Sequence, residues 1–236
     1  QSQRNMGKFM KILLVKRLES SFFAFKNSVE RFIYSYALFI QEFEKGQVYV
    51  SKKHTQKIFE LLENDDDAAI QRLIDEGKAE KYNSRDFQDE FIADLQSDFA
   101  ILQQVQALWQ HVTRDPKLLT FLDQLSTNPI LKENKLIIFT ESKETAEYLT
   151  KNINAAFANP ALCFTGGLGE ATRDKVIENF DAKARHPKDD YRMLVATEVL
   201  SEGVNLHQAN VVINYDLPWN PTRMMQPMHW PSPSAT

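Results

Sequence analysis

Thr140-Glu141-Ser142-Lys143, Thr165-Gly166-Gly167 and Thr197-Glu198 share a pattern: each follows a short, wholly apolar run and opens on a threonine. A fourth apolar run leads into Tyr215-Asp216-Leu217-Pro218-Trp219-Asn220-Pro221. Hydroxyls and free main-chain amides at such places suit phosphate oxygens. Gly166 and Gly167 would let a phosphate approach the main chain closely. After Thr197 the chain continues through Glu198, Ser201, Glu202, Gly203, Val204 and Asn205, a mixed polar loop. Each element alone is ordinary cap and turn chemistry. Their recurrence at successive run ends is what points to a polyanion.

Other chemistries find little support. His54, His111, His186, His207 and His229 are scattered, with no pair at metal-ligand spacing. Cys163 is the only cysteine, so neither an internal disulfide nor a cysteine zinc site can form. It falls within an apolar run and reads as an inert buried thiol. No Ser-His-Asp arrangement is suggested, and a Walker-type phosphate loop is absent. No catalytic residue and no metal ligand is therefore assigned. Trp219 could stack on a base, but packing of its own loop is the better reading. Lys16, Arg17, Lys26 and Arg31 do not share one helical face.

The elements that must carry these loops follow from periodicity. KLIIFT (135–140), ALCF (161–164), RMLVAT (192–197) and NVVINYD (210–216) read as strands. Residues 143–157, with Ser142 as N-cap, and 169–180 read as the helices between them. Alternating strands and helices predict an α/β layer with a mostly parallel sheet. Strands apolar throughout predict helices on both faces. In such sheets ligands collect beyond the C-terminal strand ends, where the threonines lie.

The first half has a different character. From Val15 the apolar residues fall at 15, 18, 22, 25, 29, 32, 36, 39 and 43, steps of three and four that predict one long helix ended by Gly46. Short helices are expected near 55–63 and 67–76. A second long helix, N-capped at Ser84, would run to about residue 112 with Phe91, Leu95, Phe99, Leu102, Val105 and Trp109 on one face. The expected assembly is an antiparallel helical hairpin with an acidic tip. Asp115-Pro116 opens a further helix near 116–125. The predicted division is a helical extension and insert at 1–128 (acidic tip about 46–98), an α/β lobe at 129–226 and a disordered tail at 227–236 that need not be native.

At 43% hydrophobic and 25% charged residues, the composition excludes a chain disordered throughout. No 18-residue apolar window exists, and QSQRNMGKFMK lacks a signal-peptide core, so a cytoplasmic protein away from the membrane is expected. The net charge of −4 hides an asymmetry: residues 1–57 hold 11 Lys/Arg and 4 Asp/Glu, net +7, while residues 60–98 hold 4 Lys/Arg and 13 Asp/Glu, net −9. These segments could neutralise each other as antiparallel neighbours, or present a basic face to nucleic acid.

Taken together, the motifs resemble one family. LVATEVLSEGVNLHQANVVINYDLPWNPTRMMQ (194–226) resembles motif V of superfamily-two helicases through to the first residue of motif VI. KLIIFTES (135–142) is similar to motif IV, and CFTGGL (163–168), with Arg173 and Phe180 after it, to the segment between them. LLVKRLESSFFAFKNSVERF (13–32) resembles the opening helix of the second lobe in bacterial Swi/Snf-type ATPases of the RapA class. The resemblance covers most of residues 10–226, while the insert at about 46–112 matches only in position.

The resemblance implies a RecA-like lobe, P-loop NTPase-like in fold, that closes with a first lobe on ATP and Mg²⁺ while nucleic acid crosses both. Gly203 and Asn205, with Glu202, would face the nucleotide. Ser142, Lys143, Thr165, Gly166, Gly167 and Thr197 would hold the phosphates of one strand, with DNA ahead of RNA. Glu198 and Ser201, again with Glu202, would couple the two sites. Asp216, Pro218, Asn220 and Pro221 would shape the run into motif VI. Localisation would be cytoplasmic and nucleoid-associated, in a bacterium. One departure stands out: Gln226 is followed by Pro227-Met228-His229-Trp230 where the family pattern carries arginines. Such an arginine is worth roughly 10³–10⁵ in rate in related NTPases. With the first lobe also missing, the chain is read as a fragment without ATPase activity of its own. Two rival readings are a helical docking module for another protein, through the insert, and a lobe of a different nucleotide-binding α/β enzyme such as a glycosyltransferase.

Overall fold

The computed structural model describes residues 2–50, 80–87, 89–158, 160–166, 169–197, 206 and 208–216. They form two compact units, divided between Lys117 and Leu118.

The first unit is a helical arm. Helix α1 (Ser2–Ser20) is followed by α2 (Phe22–Glu44). The apolar period runs through both, yet the helix is not continuous. Ser21 is extended (φ −158°, ψ 153°), and its hydroxyl accepts the Ala24 amide at 3.1 Å. A serine hydroxyl competes with the helical backbone and favours the cap. The expected single seam is therefore broken, and Val15, its first member, is exposed. Gly46, at φ +86°, follows the end of α2 as expected.

Strands β1 (Gln47–Val50) and β2 (Glu80–Asn83), which the sequence reading did not include, pair antiparallel with Gln47 opposite Asn83. The expected helices near 55–63 and 67–76 lie outside the described residues. A short 3₁₀ turn (Ser84–Asp86) then precedes α3 (Asp89–Trp109), so the second long helix begins later than Ser84. The hairpin is antiparallel as expected. Trp109, at the end of α3, packs edge-on against Phe22 at the start of α2 (4.8 Å), while Phe91 meets Phe39 (6.0 Å) and Phe43 (6.1 Å) at the other end.

The second unit is built on a sheet. Helix α4 (Pro116–Thr127) and the short α5 (Pro129–Glu133) lead to β3 (Leu136–Phe139), α6 (Lys143–Ala156), β4 (Ala161–Phe164), α7 (Glu170–Phe180), β5 (Met193–Ala196) and β6 (Val211–Asn214). The four strands lie in the order β4-β5-β3-β6, each pairing parallel. One face packs Leu136, Ile138, Met193 and Val195 under α4 and α6, through Leu118, Leu125, Ala146, Leu149 and Ile153. The other packs Ile137, Leu194 and Ala196 under α7, through Val176 and Phe180. Continuous apolar strands thus meet helices on both faces, as their composition requires. Residues 118–128, which the sequence reading left with the arm, lie on the sheet side of the division because Leu118 and Leu125 are part of this core.

Among the described residues no helix is long and apolar enough to cross a membrane. Ile138 is fully buried in the centre of the sheet. Ile138→Ala is expected to lower stability by roughly 2–5 kcal/mol, read from the urea midpoint at unchanged m-value. A loss below about 0.5 kcal/mol would contradict this packing.

Candidate nucleic-acid interface

The strand register decides where the threonines go. Phe139, Ala196 and Phe164 lie opposite one another, so the residues that follow them, Thr140, Thr197 and Thr165, form one row across three neighbouring strands. Main-chain bonds carry the ladder into that row: Thr140 N–H donates to Ala196 O (3.0 Å), Thr197 N–H to Phe164 O (3.2 Å) and Tyr215 N–H to Phe139 O (2.8 Å). Side chains alternate along a strand. The three threonines therefore continue the face that carries Ile138, Val195 and Cys163, the face covered by α6.

Helix α6 begins at this row. Ser142 is its N-cap, and its Oγ accepts the Thr145 amide at 3.3 Å. Glu144 adds an acid in the first turn. The hydroxyls are less open than the sequence suggested. Thr140, Ser142, Thr165 and Thr197 are 3%, 1%, 1% and 8% exposed, whereas Lys143 is half-buried and Gly166 exposed. Thr140 Oγ1 donates to Asp216 Oδ2 at 2.5 Å, and Ser142 Oγ is taken up by the cap. Thr165 Oγ1 is buried without a hydrogen-bond partner among the described residues, which leaves it donor and acceptor capacity at the sheet edge.

The register thus brings Thr165, Thr197 and Ser142 to one edge, with Lys143 and Gly166 beside them. Gly167, Glu198, Ser201, Glu202, Gly203 and Asn205 lie outside the described residues, as do His207, Trp219 and residues 51–79 of the insert. Of the cations considered at the sequence level, Arg17 is buried, Lys26 Nζ donates to Val112 O (2.6 Å) and Arg31 donates to Ser28 Oγ (3.0 Å), so these cations have roles within the arm. Asp216 is the residue whose part at this edge was missed: its Oδ2 also accepts the Glu141 amide at 3.1 Å.

The opposite edge has a different character. Arg192 donates to the carbonyls of Leu131 (2.6 Å), Lys132 (3.1 Å) and Asn134 (3.1 Å), closing the end of α5. Lys135 pairs with Asp189 at 2.7 Å and lies 4.8 Å from the centre of the Phe180 ring. A cavity of about 290 Å³ opens there among Glu133, Asn134, Lys135, Asp189, Asp190 and Arg192. Its acids and bases answer one another, which does not favour a polyanion. No group of three His, Cys, Asp or Glu that could hold a metal ion occurs among the described residues.

Comparison with known proteins agrees with this architecture. Residues 117–229 match the helicase conserved C-terminal domain family. The match covers 113 of the 236 residues, a little under half of the chain. Within it lies the α/β layer described above, a parallel sheet between helices. An uncharacterized ATP-dependent helicase, YqhH of Bacillus subtilis (strain 168), is 36% identical over 117 residues, 49% of this chain and 18% of the relative. The probable ATP-dependent RNA helicase DDX17 of Mus musculus is 32% identical over 125 residues, 53% of this chain and 18% of the relative. The match therefore spans under one fifth of the length of either. The Sulfolobus solfataricus SWI2/SNF2 ATPase C-terminal domain aligns over 67% of this chain and 70% of its own, with TM-score 0.37 and 20% identity.

Burial pushes the Cys163 thiol above its ordinary pKa, with Glu147 adding to that rise and Thr150 and Lys143 opposing it. A raised pKa leaves a smaller thiolate fraction at any pH below it. Alkylation of Cys163 at about pH 8 is expected to be slower than that of a free cysteine, and to go on accelerating with pH after the free thiol has levelled off. Alkylation at the free-thiol rate would contradict the burial.

Proposed function

We propose that this chain supplies the second motor lobe of a superfamily-two, Swi/Snf-type ATP-dependent helicase or translocase, contributing half of the nucleotide cleft and half of a track for the nucleic-acid backbone. The threonine row at the C-terminal edge of the sheet, within the segment that matches the helicase C-terminal domain family, carries this reading. A motor must grip phosphate without reading bases, so small hydroxyl and amide donors suit it better than long base-reading side chains. Ser142, Lys143, Thr165, Gly166, Gly167 and Thr197 would form the phosphate grip. Gly203, Asn205 and Glu202 would face ATP and its Mg²⁺ against a first lobe, and Glu198 and Ser201 would connect the two sites. ATP binding and hydrolysis would supply the free energy for lobe closure. DNA is the proposed track, in keeping with the Swi/Snf-like segment at 13–32.

A second reading concerns the arm alone. Tyr34, Ile101 and Leu108 expose large apolar surface on α2 and α3, which favours an additional docking role for the arm toward another protein.

Fluorescence anisotropy with labelled single strands about 20 nucleotides long tests the grip. DNA is expected to bind with a Kd on the order of 10⁻⁵ M at physiological salt, and more weakly as salt rises. No binding at low salt would contradict the grip, and a clear preference for RNA would contradict the proposed track. The chain alone is expected to show no ATP turnover, with or without DNA, because it holds neither a phosphate loop nor an arginine after Gln226. Steady turnover by the pure chain would overturn that assignment.

A further inference from the structure

Asp216 follows β6 and lies 76 residues from Thr140 in the chain, yet the two meet at the sheet edge. The carboxylate oxygen Oδ2 accepts the Thr140 hydroxyl at 2.5 Å and the Glu141 amide at 3.1 Å. Thr140 Oγ1 in turn accepts the Ser142 amide at 3.3 Å, and Ser142 Oγ accepts the Thr145 amide at 3.3 Å. One acid thus anchors a chain of donors that runs through the whole loop 140–142 into the first turn of α6. Thr140 is buried and Asp216 half-buried, so these bonds are partly shielded from water and polarise one another. A carboxylate acceptor makes them stronger than neutral equivalents.

The acid is itself held firmly. Tyr215, its neighbour, donates its amide to Phe139 O at 2.8 Å and packs edge-on against Phe121 of α4 at 5.2 Å. Asp216 is therefore presented from a strand end whose place is fixed by both sheet and helix.

We infer that Asp216 is a positioning residue: it sets loop 140–142 and the α6 N-terminus in the geometry that grips phosphate. Ser142 and Lys143 belong to that grip, so the functional half of the inference rests on the reading proposed above. The direction of the bonds distinguishes it from general packing. The Thr140 hydroxyl and the Glu141 amide both donate to Asp216, and the Ser142 amide donates to that same Thr140 hydroxyl, so removing the acid leaves the first two donors to find other partners. An asparagine at this position keeps one oxygen acceptor, while it loses the charge and carries an NH2 donor in place of the second oxygen.

Amide hydrogen exchange and oligonucleotide anisotropy on the full chain test this together. Asp216→Ala is expected to speed exchange at Glu141 and Ser142 about tenfold or more, with Leu194 and Val195 in β5 unchanged. It should also weaken binding of the labelled DNA strand about three- to tenfold. Asp216→Asn should restore most of both effects, and Asp216→Ala combined with Thr140→Val should bind no more weakly than Asp216→Ala alone. Wild-type exchange at Glu141 in Asp216→Ala, or raised exchange with wild-type affinity, would overturn the inference. If the unmutated chain binds no DNA or RNA strand, the phosphate reading fails, while the exchange arm still decides whether Asp216 sets the loop. Should Asp216→Ala not fold, Thr140→Val removes the same bond from the other side. Unchanged exchange at Ser142 in that variant would overturn the inference equally.

Discussion

One geometric constraint underlies the sheet edge: parallel strands held in common register end together. Phe139, Ala196, Phe164 and Asn214 share one level of the ladder, so the chain leaves four strands at one edge. Parallel connections must cross over through helices or long loops, and those crossovers sort the loop starts to one edge and the strand starts to the other. A threonine following each of three neighbouring strands thereby becomes a row. In the order β4-β5-β3-β6 the neighbours β3 and β5 lead in opposite directions, β3 toward β4 and β5 toward β6, the kind of switch point where open α/β sheets bind ligands.

The two edges divide the work. At the strand starts, cations are spent on the protein itself: Arg192 on three carbonyls and Lys135 on Asp189. At the strand ends, Asp216 takes loop donors and Thr165 keeps an unpartnered buried hydroxyl. A buried hydroxyl without a partner carries a desolvation cost that a ligand oxygen could relieve. The asymmetry is one of hydrogen-bond demand more than of net charge, and it suits a grip on backbone oxygens.

Much of the sheet unit was legible because its signals are local. Apolar runs mark all four strands, Ser142 marks the start of α6, and the apolar spacing of Ala146, Leu149 and Ile153 marks its buried face. The arm was legible where aromatics recur, as Phe22, Phe25 and Trp109 meet in the hairpin. It was misread at Ser21, because the three-four period passes through a serine that local capping makes extended. The β1–β2 ribbon escaped because its partners lie thirty or more residues apart, Val50 opposite Glu80 nearest. The threonine row could be read in outline, but not the direction of each hydroxyl. Asp216 and Thr140 are coupled only through strand register, which no spacing rule in the sequence reports. Burial of Ser142 and Thr165 likewise follows from packing rather than from residue type.

Backbone amide chemical-shift mapping in the presence of a short single-stranded DNA tests the central claim most directly. The account predicts that the perturbed amides cluster at the strand ends, at Glu141, Lys143, Gly166 and Thr197. Perturbations confined to the opposite edge, around Lys135, Asp189 and Arg192, or to the helical arm, would contradict it.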